Sequence, residues 1–207
     1  MPKRKPARPE RLPVITVFGS SRPREGDADY ESARALGLAL AQRGFAVCTG
    51  GYGGVMEAAS RGAKEGGGRV LAVTAKFFHP HANRWVDEEF RAATWQQRLF
   101  ELIRRGDGYV ACKGGTGTLV ELAVVWEMLN KGIVRRPKPF VVLGAFWAPV
   151  LECVREVECE RSKWAESESA LVRVADTPEA AAAFLAERLL EAKLGAKAAA
   201  KPAPALF

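Results

Sequence analysis

Apolar residues along this chain fall into two rhythms. Residues 14–18, 45–49, 69–74, 108–112, 140–143 and 171–174 form short runs dominated by Val, Ala and aromatic residues. Runs of four to eight such residues bounded by glycine or polar turns read as strands. Between them lie stretches with helical spacing. Tyr30, Ala33, Gly37, Leu40 and Ala41 share one face, with Asp27 or Asp29 as the N-cap and Gly44 as the stop. Residues 55–64, 94–105, 118–130, 148–158 and 178–194 read as further helices, and residues 75–93 as irregular. Strands alternating with helices predict an α/β fold, a Rossmann-like doubly wound parallel sheet with helices on both faces. No internal repeat or linker interrupts residues 12–191, so these form one predicted domain between two tails, 1–11 and 192–207.

Such sheets take ligands beyond the carboxyl ends of their strands, where the strand order reverses. Glycine clusters stand at those ends. Gly19-Ser20-Ser21 follows the first strand, Gly50-Gly51-Tyr52-Gly53-Gly54 the second, and Gly114-Gly115-Thr116-Gly117-Thr118 the strand at 108–112. The last two open helices. Glycine lets an anion approach the backbone closely, and a helix N-terminus offers free N–H groups and a positive dipole end. Two such turns predict phosphate binding rather than mere connection. There is no G-K-[ST], which excludes a P-loop. The third glycine of a dinucleotide fingerprint counted from Gly115 falls on Val120, which excludes that motif too.

The net charge of +7 suggests a nucleic-acid binder until it is located. Residues 1–11 carry +4 and residues 192–207 carry +3, leaving 12–191 formally neutral. A basic face on the folded body, the usual footprint of such a binder, is therefore not expected, and any affinity would reside in the tails. Cys48, Cys112, Cys153 and Cys159 are scattered and form no C-x-x-C pair, which argues against a disulfide framework. Together with the lack of any ~20-residue apolar span or signal-peptide core, this predicts a cytoplasmic protein. His79 and His81 flank Pro80, but no further ligand at suitable spacing completes a metal site, so neither metal nor cofactor is expected.

With these residues assembled, the chain resembles the LOG (Lonely Guy) family, whose members hydrolyse nucleoside 5′-monophosphates, cytokinin ribotides included, to free base and ribose 5-phosphate. Gly114-Gly115-Thr116-Gly117-Thr118-Leu119-Val120-Glu121 is similar to the family's P-G-G-x-G-T-x-x-E signature, and Gly50-Gly51 through Gly54-Val55-Met56 to its G-G-x-x-G-x-M segment. Gly19-Ser20-Ser21 resembles its first nucleotide loop, and Arg98 falls on the arginine of an R-K pair. The resemblance runs from about residue 14 to 183. It implies a homodimer acting on an AMP-like monophosphate. Lys113 stands where the family has proline, and Leu99 where it has the lysine of the pair; the second change removes a positive charge near the expected site. Relatives are often labelled lysine decarboxylases, but no lysine here has the context a pyridoxal-phosphate Schiff base requires.

Cleaving an N-glycosidic bond builds positive charge on the sugar, which a carboxylate stabilises or relieves by activating water. Glu121 is the candidate, with Arg98 to orient it or to clamp the ribose phosphate. Each has a plainer reading. Thr118-x-x-Glu121 also spells a capping box, and Arg98 on spacing alone is a solvated helix arginine. Trp95, on the Arg98 helix, is a candidate to stack on a base. Gly19, Ser20, Gly50, Gly51, Gly54 and residues 114–118 are the expected phosphate and substrate contacts. The alternative function is a non-catalytic carrier of a nucleotide or phosphorylated cofactor on the same fold.

Overall fold

The computed structural model describes residues 11–78, 81–134, 138–161 and 171–199, with side chains omitted at 158–161 and 195–199. Seven strands form one sheet: β1 (Val14–Phe18), β2 (Ala46–Thr49), β3 (Val70–Ala75), β4 (Glu88–Ala92), β5 (Gly108–Ala111), β6 (Phe140–Leu143) and β7 (Val172–Ala175). Six helices accompany them: α1 (Ala28–Gln42), α2 (Val55–Glu65), α3 (Trp95–Arg105), α4 (Thr116–Asn130), α5 (Ala148–Arg161) and α6 (Pro178–Ala199). The spatial order is β4-β3-β2-β1-β5-β6-β7, and every pairing is parallel. The expected doubly wound α/β fold is what the chain adopts.

The apolar runs form strands because both of their faces are covered. All residues of β1, β2, β5 and β6 are buried. Alternate side chains enter two cores. Ile15, Val17, Val47 and Val110 pack with α1, α2 and α6. Val14, Phe18, Cys48 and Tyr109 pack with α3, α4 and α5. Burial from water on both faces is the main stabilising term for such strands. It also pushes the Cys48 and Cys112 thiols up to about 12, so both behave as small hydrophobes.

Two features place the loops that matter. The chain winds outward from β1 to β4, then returns to lay β5 against β1. That reversal separates the loops after β1 and β5 and leaves a crevice between them. On one face α1 and α2 meet almost backbone to backbone. A Cβ on Gly62 would stand 2.9 Å from the Leu38 amide nitrogen, and one on Gly37 2.9 Å from that of Ala63. The close crossing holds the N-terminus of α2 against the first loop, where the Val55 N–H donates to the Ser20 carbonyl at 2.8 Å.

Four boundaries differ from the sequence reading. Residues 88–92, expected to be irregular, are the edge strand β4. Its Glu-Glu-Phe-Arg stretch carries charges to both sides, as edge strands do to resist pairing with other chains; Glu88 meets Arg69 at 2.7 Å and Arg105 at 3.3 Å. Helix α4 begins at Thr116, two residues earlier than expected. Helix α6 runs to Ala199, past the boundary at 192 expected for a tail. Arg11 is not part of a free tail: its guanidinium donates to both carboxylate oxygens of Asp107 at 2.8 and 2.9 Å. Residues 1–10 and 200–207 lie outside the described residues, as do His79 and Pro80. Among the described residues, no helix is long and apolar enough to cross a membrane.

Candidate functional site

Three loops converge at the carboxyl ends of β1, β2 and β5. The Ser20 N–H donates to the Lys113 carbonyl at 3.2 Å, tying the first loop to the third. The second is held from outside, where the Asn83 N–H donates to the Gly51 carbonyl at 2.7 Å and the Asn83 side chain to the Tyr52 carbonyl at 3.1 Å. Together they bound a cleft of about 950 Å³. Gly19, Ser20, Gly50 and all of residues 114–118 line it, with Arg98 and Glu121.

The glycines divide into two kinds. Gly51 and Gly54 do not line the cleft. They have positive φ, +80° and +67°, and neighbours that leave no room for a side chain: Ala72 Cβ at 2.9 Å from a Cβ on Gly51, Ser21 Cα at 2.7 Å from one on Gly54. They shape the loop rather than face a ligand. Gly115 and Gly117 are the opposite. Neither has positive φ, and a Cβ on either would meet nothing within 4 Å. Nothing in the fold requires glycine there, and Gly117 lies inside helix α4, where glycine costs roughly 1 kcal/mol relative to alanine. The open space over both lies at the N-terminus of α4, whose N-cap Gly115 makes no side-chain capping bond.

The early start of α4 also removes one of the two readings of Glu121. With Gly115 as N-cap, Thr118 is the third residue of the helix and Glu121 the sixth. A capping box needs its glutamate at the third position, so that reading falls. Glu121 instead points into the cleft from the second turn. Arg98 reaches it from α3, which is capped by Thr94 accepting from the Gln97 N–H at 3.1 Å. Arg98 is not a solvated helix arginine. Its side chain is only 12% exposed, and it donates from Nε to the Val73 carbonyl at 3.0 Å and from Nη2 to the Gly50 carbonyl at 3.3 Å. The rings of Tyr52 and Phe78 flank its guanidinium, each centroid 5.7 Å away. A Cβ on Gly50 would collide with that guanidinium and lie 2.7 Å from the Met56 sulfur. Gly50 is therefore required by Arg98.

Arg98 Nη1 lies 3.8 Å from Glu121 Oε1, and the glutamate side chain is 15% exposed. At that separation the arginine only partly offsets the loss of hydration. Burial pushes the Glu121 carboxyl up to about 7, with Arg98 pulling the other way. A carboxyl poised near neutrality in a cleft has the character of an acid–base group.

This has a consequence for stability. The unfolded chain gives up this proton near 4.5 and the folded chain near 7. Between these values the native state binds the extra proton, so stability falls as pH rises through that window and levels off above it. Glu121→Gln should remove this dependence and leave the variant more stable than the parent at pH 8 by roughly 1–3 kcal/mol. Urea denaturation from pH 4 to 8 measures it; identical profiles for both proteins would mean a well-hydrated carboxyl.

Several placements correct or extend the sequence reading. Leu99 is 5% exposed and packs into the core beneath α3, so its side chain takes no place in the cleft. Trp95 does not line the cleft. The cleft's aromatic lining comes from Phe18 at the end of β1 and from Tyr52, Phe78 and Phe146, the last three of which the sequence reading did not single out. Tyr52 sat within the glycine cluster and was open to notice; nothing in the local pattern marks Phe78 or Phe146. Lys113 lines the rim and pairs with Asp29 at 2.9 Å. Among the described residues no three His, Cys, Asp or Glu side chains cluster to hold a metal.

The sequence model of the SLOG cluster4 family matches residues 12–173. The chain belongs to that family. Cytokinin riboside 5′-monophosphate phosphoribohydrolase LOG7 of Arabidopsis thaliana is 31% identical over 144 residues, 68% of this chain and 66% of that enzyme. The LOG enzyme of Oryza sativa is 30% identical over 145 residues, 68% of this chain and 59% of that one. This SLOG chain thus spans about three-fifths to two-thirds of the plant enzymes' length. Among solved structures, the molybdenum cofactor binding protein of Rippkaea orientalis superposes with a TM-score of 0.67 at 25% identity, covering 89% of this chain and 98% of that one. The molybdenum cofactor carrier protein of Chlamydomonas reinhardtii gives 0.66 at 25%, covering 87% and 99%.

Proposed function

We propose that this SLOG protein is a nucleoside 5′-monophosphate phosphoribohydrolase. The observation that carries the reading is the opposition of two features in one cleft: an anion cradle at the N-terminus of α4 and, one turn further along the same helix, the buried Glu121 beside Arg98. The phosphate of the ligand lies over Gly115 and Gly117, held by backbone N–H groups and the helix dipole. The ribose then lies over the second turn, within reach of Glu121. As the C1′–N bond lengthens, positive charge grows on the sugar, and the Glu121 carboxylate stabilises it or takes a proton from the attacking water. Water supplies the hydroxyl of ribose 5-phosphate and the base departs with a proton. Arg98, fixed by two carbonyls and two rings, holds the carboxylate in place. The homodimer and the cytoplasmic setting expected from the sequence belong to the same proposal. The names of the plant relatives support the chemistry.

A second reading has its own support. The Rippkaea molybdenum cofactor binding protein and the Chlamydomonas molybdenum cofactor carrier protein match this chain over nearly the whole of their own length. In that reading the cleft holds a phosphorylated cofactor and turns nothing over. One experiment separates the two. Incubation with a panel of nucleoside monophosphates is expected to release free base and ribose 5-phosphate in equal amounts, followed by chromatography. Binding without release from any of them would favour the carrier.

A further inference from the structure

The proposed phosphate position over α4 leaves two cations of the cleft lining unused, Arg22 and Lys113, which share that lining with Asp27 and Asp29. Lys113 precedes the N-cap of α4 by two residues, and its side chain is 53% exposed. Its ammonium lies 2.9 Å from Asp29 in the first turn of α1 and 5.9 Å from the centre of the Phe146 ring. Arg22, in the loop after β1, lines the same cleft and makes no ion pair with another described residue. The two loops are joined through Ser20, whose N–H reaches the Lys113 carbonyl and whose hydroxyl accepts the Arg22 N–H at 3.1 Å.

The geometry points to Arg22 and Lys113 as a second anion subsite, which extends the ligand class to nucleoside diphosphates and diphosphate-linked cofactors. It rests on the proposed phosphate position over α4. An exposed Lys–Asp pair contributes little, so Asp29 gives up Lys113 at small cost. The charge-assisted bonds that Lys113 and Arg22 make to a phosphate are stronger than that pair. Asp29 parks the lysine at the rim in the meantime, which keeps its charge compensated and weakens the binding of stray anions. The cleft volume of about 950 Å³ is at the upper end of ligand pockets, room that a monophosphate leaves over.

Calorimetry with AMP and ADP on the full chain carrying Glu121→Gln, so that no ligand is consumed, tests this. ADP should bind about tenfold more tightly than AMP. Lys113→Met combined with Arg22→Gln should bring ADP down to the AMP level while AMP changes less than twofold. Asp29→Asn, which frees the lysine, should tighten ADP severalfold and leave AMP unchanged; it decides the matter if the double variant fails to fold. Equal affinities in the starting protein, or an ADP preference that survives the double variant, would overturn the rim subsite while leaving the α4 phosphate site standing. Binding of neither nucleotide would overturn both.

Discussion

Glu121→Gln is expected to slow release of base from AMP by 100-fold or more, with KM changed only a few-fold. The carboxylate's partner is charge that exists only as the glycosidic bond breaks, so its removal should raise the barrier and not weaken the ground state. A positioned acid–base group is worth about 10²–10⁴ in rate. Gln keeps the volume, so the protein should fold, with the gain in stability at pH 8 derived above. The parent's kcat/KM should rise with pH through about 7, because it follows the free protein's Glu121 carboxyl, which burial pushes up to about that value. A general acid would give the reverse slope. Arg98→Ala should lower the rate less cleanly, since it also releases the Gly50 and Val73 carbonyls that hold the second loop. Hydrolysis by Glu121→Gln at the parental rate would end the catalytic assignment.

The second large effect concerns the phosphate. Gly115→Val should weaken AMP binding 100-fold or more in a protein that still folds. The backbone at 115 has φ −95° and ψ −155°, an extended conformation that valine readily adopts, and the space around it is open. The cost of Val at an N-cap is about 1 kcal/mol. What the branched side chain does is stand over the N–H groups that the phosphate must reach. Gly54→Val is the contrasting case: there φ is +67° and the Ser21 backbone blocks the Cβ, so the fold itself should suffer. Calorimetry with AMP distinguishes them, and unchanged affinity in folded Gly115→Val would put the phosphate elsewhere.

Much of the scaffold was legible before any coordinates. Central parallel strands are buried on both faces, so their apolar runs are continuous and stand out; β1, β2, β5 and β6 were all found within a residue or so. Glycine clusters directly after such runs mark the ligand end of the sheet for the same topological reason. β4 escaped because an edge strand is only half covered, and Glu88, Glu89 and Arg91 break up the apolar run that marks a central strand. The start of α4 was misread because Thr118 resembles a cap in sequence, whereas the helix is capped at Gly115 and buries Thr118 against Gly114.

The chain order of residues thus determined the fold class and the glycine loops at the carboxyl end of the sheet, because these follow from local period and turn chemistry; Arg98 and Glu121 became candidates through the family resemblance, their spacing alone reading as a solvated helix arginine and a capping box. Tertiary structure alone decided the rest. Arg98 and Glu121 sit on different helices, and only the packing of α3 and α4 on one face of the sheet brings them to 3.8 Å. The raised pKa of Glu121 comes from burial by elements distant in sequence. Gly50 and Gly51 are neighbours along the chain, yet one is kept by the Arg98 guanidinium and the other by the side chains of Ala72 and Thr74. Leu99 is adjacent to Arg98 but turned about 100° around the helix, which sends it into the core while its neighbour enters the cleft.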